Sequence, residues 1–118
     1  MIARFIQDGK AIDYRPTEAV AAGDIVVQGT LIGIARLDIA ANTLGSLALS
    51  GVFDAPKATG AITVGAAVYW DAANFNVTMT AAGNPYLGKA LLAAASADET
   101  VRFILNAPFV ATAAAAAE

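Results

Sequence analysis

The feature that most constrains this chain is its punctuation. Short runs rich in Val, Ile, Leu, Phe and Tyr alternate with Gly, Pro, Asn and Asp along most of its length. No run keeps a helical spacing long enough to build a stable helix. Strands are expected at 2–7, 10–14, 25–28, 31–37, 46–53, 67–70, 75–80, 86–92 and 100–105. Turn signals separate them, among them Asp8-Gly9, Gly23-Asp24, Gly83-Asn84-Pro85 and Ala97-Asp98. Within V-R-F-I-L, Val101, Phe103 and Leu105 share one face, and Arg102 and Ile104 share the other. The stretch 89–97 has helical propensity but lies between two strand patterns, so it reads as strand then turn. The expectation is an all-β fold: a small β-barrel or jelly-roll-like sandwich of about eight or nine short strands, with little or no helix.

A chain of 118 residues holds one ordinary domain. That domain is expected to span 1–110, with an apolar N-terminal arm at 1–7 and a disordered Ala-rich tail at 111–118. The chain has no Cys and no His. Disulfides, zinc–thiolate sites and thiol nucleophiles are therefore absent, along with the usual neutral-pH base and the commonest metal ligand. No enzyme activity, metal or cofactor is expected. Charged residues make up 14% of the chain and the net charge is −3. The seven basic residues stand singly, whereas nucleic acid demands clusters of them, so no nucleic-acid partner is expected. The 58% apolar share includes much Ala, and Asp, Asn, Gly or Pro breaks every long apolar run. No membrane span or signal peptide is expected, and synthesis in the cytoplasm is the default. A surface this poor in charge points to cover by other protein.

Most motifs read as fold chemistry. Asp24, Asp38, Asp54, Asp71 and Asp98 stand at run ends, where a carboxylate accepts backbone N–H bonds in turns. Asp54-Ala55-Pro56 reads as a strand exit, with Lys57 a solvated turn residue. Tyr69-Trp70 reads as one ring in the core and its neighbour on the opposite face. The alternative is a ligand or carbohydrate platform built from Tyr69, Trp70 and Tyr86. Gly60 and Gly65 lack the G-K-[ST] ending of a phosphate loop. L-I-G-I-A at Leu31 echoes Y-L-G-K-A at Tyr86, and G-D-I-V-V at Gly23 echoes G-A-A-V-Y at Gly65. Two similar β-units would produce such echoes, and so would chance in an Ala-, Gly- and Val-rich chain. Both terminal segments are apolar. Ile2, Arg4, Phe5, Ile6, Phe109 and Val110 are the candidate contacts with a neighbouring subunit or another protein, by docking or strand addition; edge strands of the same domain are an equal alternative.

The order A-G-D-I-V-V, L-I-G-I-A, G-V-F-D-A-P-K, V-Y-W-D, L-G-K-A and V-R-F-I-L-N is similar to that of the DUF2190 family, the capsid cement or head decoration proteins of tailed phages. The resemblance runs from Phe5 to about Asn106. It implies a non-enzymatic virion protein on the outer surface of an HK97-type head, bridging neighbouring major capsid protein subunits. It also implies self-association, as a homotrimer or a dimer. The family offers no catalytic residues to transfer. Its recurring positions here, Gly51, Phe53, Asp54, Pro56, Tyr69, Trp70 and Gly88, are implied to determine the fold.

Overall fold

A computed structural model describes residues 2–108. It is all-β, as expected, with nine strands in two antiparallel sheets. The chain divides into two compact units at the Ser50–Gly51 bond.

Unit 1 contains β1 (Ala11–Tyr14), β2 (Ile25–Gln28), β3 (Leu31–Ala35) and β4 (Gly45–Ala48), in the sheet order β1-β4-β3-β2. The hairpin β2–β3 closes on Gln28 opposite Leu31, and Gly29 takes the positive φ (64°) that so short a turn requires. Ala35, Ile39 and Leu47 form its buried cluster, with Ile12, Tyr14, Val20 and Val26 packed on it half-buried.

Unit 2 contains β5 (Val52–Pro56), β6 (Ala67–Asp71), β7 (Asn76–Thr78), β8 (Tyr86–Ala90) and β9 (Thr100–Leu105), in the order β5-β9-β8-β6-β7. A parallel bridge between Lys57 and Val77, with the Ala58 N–H donating to Val77 O, joins the last strand of that order to the end of the first. The sheet thus closes on itself as a small barrel. Along β9 the expected alternation holds: Val101, Phe103 and Leu105 are buried, and Arg102 and Ile104 are exposed. Val68, Val77, Leu87 and Phe103 are wholly buried.

The internal echo is present in the backbone. Gly23 N–H donates to Ala35 O, and Ala35 N–H to Asp24 O; Gly65 N–H donates to Ala90 O, and Ala90 N–H to Ala66 O. The Val20–Ile39 bridge has its counterpart in Ile62–Ala94. Hence β1, β4, β3 and β2 correspond to β5, β9, β8 and β6. Gly33 and Gly88 occupy equivalent places, and both are needed for close approach. A Cβ on Gly33 would lie 2.8 Å from the Leu47 Cβ, and one on Gly88 would collide with the Ile104 carbonyl. The difference is the connection. Unit 1 turns at Gly29-Thr30, where unit 2 inserts 72–85 and with it β7.

Four sequence expectations need correction. The run 46–53 is two strands, broken where Gly51 adopts a φ of 127°, a region open to Gly. The run 2–7 forms no strand and pairs with none of the described strands. Asp54-Ala55-Pro56 lies inside β5 rather than leaving it, and Pro56 is tolerated as the last residue of that strand. Lys57 is not solvated: it is 8% exposed, and its ammonium donates to Ala58 O (2.9 Å) and Ser96 O (3.1 Å).

Candidate interaction surface

The arm is the most exposed apolar segment described. Phe5 and Ile6 are 79% and 71% exposed, and Ile2 and Arg4 are exposed too. Gln7 Nε2 donates a hydrogen bond to Ala11 O (3.0 Å), next to Gly9 with its positive φ. Phe109 and Val110, the other expected contacts, lie outside the described residues.

Unit 1 also carries an open groove of about 850 Å³. Lys10, Asp13, Arg36 and Asp38 bring charges of both signs to it, beside the exposed Leu37 and Leu44. Such a mixed lining suits a protein surface better than a small apolar ligand.

In unit 2 the outward face of β5 and β9 sets Val52 opposite Ile104, Asp54 opposite Arg102 and Pro56 opposite Thr100, all exposed. Arg102 Nε and Nη2 donate to the two Asp54 oxygens at 2.9 and 3.0 Å. Hydrogen bonding from Arg102 holds the Asp54 carboxyl below its usual range, and the same bond raises the guanidinium. This pair fixes the charge pattern of a face that is otherwise uncharged. The Ile104 position was readable from the alternation of V-R-F-I-L; the partner of Asp54 was not, since cross-strand neighbours are distant in sequence.

The seven signature residues do not gather at one site. Gly51 lies under the Phe53 ring, which meets Phe103 at 6.3 Å between centroids. Trp70 turns into the core, and Tyr69 packs edge-on against Tyr86 at 5.9 Å. The Tyr86 hydroxyl donates to Ala107 O (2.5 Å), and burial pushes its pKa up, with Tyr69 adding to the shift. Asp24, Asp71 and Asp98 cap turns as expected: Asp24 Oδ2 accepts from Ala21 N–H, Asp71 Oδ1 from Ala73 N–H and Asp98 Oδ2 from Ala95 N–H. Among the described residues no group of three or more Asp or Glu is arranged to hold a metal ion.

Unit 1 has exposed apolar side chains on the arm and a polar-rimmed groove, and unit 2 has a sheet face pinned by an ion pair. No curated protein and no solved structure matches the chain. A family model described as phage cement protein does match, over residues 6–105, which takes in both units and all nine strands. That coverage carries the assignment: the chain belongs to the phage cement protein family, whose members are structural components associated with the phage capsid.

Proposed function

We propose that this protein binds the outer surface of an HK97-type phage head and bridges neighbouring major capsid protein subunits, acting as an oligomer of itself, a homotrimer before a dimer. The observation that carries the reading is the family match over residues 6–105, and the exposed Ile2, Phe5 and Ile6 of the arm support it. Bridging needs no large interface, because once one subunit is held the second contact is effectively intramolecular. Copies spanning a seam add contacts that internal pressure would have to break. A protein of net charge −3 with scattered basic residues also stays off DNA while heads fill. Synthesis would be in the host cytoplasm and residence on the virion exterior. The ligand-platform alternative gains no support, since Trp70 is only 6% exposed.

The test is to add purified protein to heads that lack it. Saturable binding to expanded heads, no binding to isolated capsid subunits, and higher resistance of the decorated heads to heat are the expected results. Heads that take up no protein would overturn the reading.

A further inference from the structure

Unit 1 repeats unit 2 with one strand missing. In unit 2 the outer edge of β6 is paired by β7, through Tyr69–Thr78, Trp70–Val77 and Asp71–Asn76, and Val77 is wholly buried there. The counterpart of β6 is β2, which pairs with β3 alone among the described residues. Continuing its register from the Ala35 N–H bond to Asp24 O turns the N–H and C=O groups of Ile25 and Val27 away from β3. They form an open sheet edge.

The missing strand also marks the core. Tyr14, Val20 and Val26 are half-buried, whereas their counterparts Ala55, Ile62 and Val68 are buried. A covering strand would remove that remaining apolar surface from water.

The chain holds a segment suited to the place. The arm 2–7 is exposed, apolar and unpaired. Extended, it would put Ala3, Phe5 and Gln7 on one face with no charge among them, and Ile2, Arg4 and Ile6 on the other. The chain's own arm does not fit. A strand placed like β7 runs antiparallel to β2 and therefore parallel to β1, because successive strands of β1-β4-β3-β2 alternate in direction. Parallel neighbours need a crossover of about a dozen residues or more. Here only residues 8–10 lie between the arm and β1.

We propose that residues 2–7 of one copy add to the outer edge of β2 in a second copy, antiparallel to it, with Phe5 turned in over Val26 and Arg4 left in water. Donor and acceptor surfaces differ, so each copy can give one arm and receive one, and a closed ring is the arrangement that leaves no arm and no edge unpaired. The inference deepens the self-association in the function proposed above and rests on that part of it alone.

The experiment measures mass in solution and amide exchange for the full chain, a chain lacking residues 2–7, Val27→Pro and Phe5→Asp. The full chain is expected to be a closed oligomer, with the Ile25 and Val27 amides protected. All three variants are expected to be monomers, with those amides (Ile25 alone in Val27→Pro) exchanging faster by about ten-fold or more. Unchanged Trp70 emission would show that unit 2 remains folded. If Val27→Pro unfolds, the truncated chain decides, since it loses only exposed residues. A truncated chain of unchanged oligomeric mass, a monomeric full chain, or unprotected amides would overturn the proposal. A monomeric full chain that still decorates heads sinks this inference and leaves head binding standing; an oligomer that ignores heads does the reverse.

Discussion

The two units share one strand plan and differ in how completely each encloses its core. Val68 and Val26 occupy equivalent positions, yet Val68 is wholly buried and Val26 half-buried. The same plan yields a sealed unit where β7 is present and a partly open one where it is not. What separates them is the segment 72–85, held at its start by Asp71, which accepts from the Ala73 and Asn74 amides and the Asn74 side chain. Enclosure here is set by a connection, while the paired strands stay the same.

The sharpest way to break the comparison is at the paired glycines. Gly88→Ala drives a methyl group into the Ile104 carbonyl, where only backbone movement relieves the clash. A loss of about 4 kcal/mol or failure to fold is expected in urea titration followed by Trp70 emission. Gly33→Ala brings its methyl to 2.8 Å from the Leu47 Cβ, a milder clash that needs a smaller backbone shift, and should cost less, about 1–3 kcal/mol. Equal losses would refute the ranking of the two strand crossings.

Core truncation probes enclosure directly. Phe103→Ala, at a site with no exposure, should cost about 4 kcal/mol. Leu47→Ala, at the equivalent position in the more open unit, should cost about 2–3 kcal/mol, because the surrounding half-buried side chains have room to settle. Differential scanning calorimetry of both variants tests the order.

A smaller effect is expected at Lys57, whose counterpart in unit 1 is the buried Pro16. Lys57→Ala removes the donor that holds Ala58 O and Ser96 O, for a loss of about 2 kcal/mol. The smallest change belongs to Asp54. Its folded-state pKa is lowered by Arg102, so its contribution is full above the ordinary carboxylate range and disappears as pH falls through the depressed value. Asp54→Asn should lower stability slightly at neutral pH, where the pair contributes, and leave it unchanged at the acid end, so that the acid limb flattens. An unaltered acid limb would rule the pair out as a contributor.

Much of the fold was legible because strand periodicity is local. Runs 25–28 and 100–105 match β2 and β9 end to end, and the alternation in V-R-F-I-L predicted the faces of β9. Legibility failed where long-range pairing decides. The arm has the composition of a strand but no partner, so composition alone over-read it. Lys57 carries a charge that usually means solvent, and only the carbonyls of Ala58 and Ser96, one of them far along the chain, make burial tolerable. The surface was legible in part. The apolar character of the arm was legible and its exposure is a structural finding, whereas the face around Asp54 depended on Arg102, a partner no local pattern names.

The parallel bridge between Lys57 and Val77 has a mechanical consequence. A ladder that returns to its own start offers no free end from which strands can be unzipped one by one, so unit 2 must yield as a whole. The sheet of unit 1 ends at β1 and β2, and these edges are where it is expected to fray. Under tension unit 1 is therefore expected to give way before the closed unit.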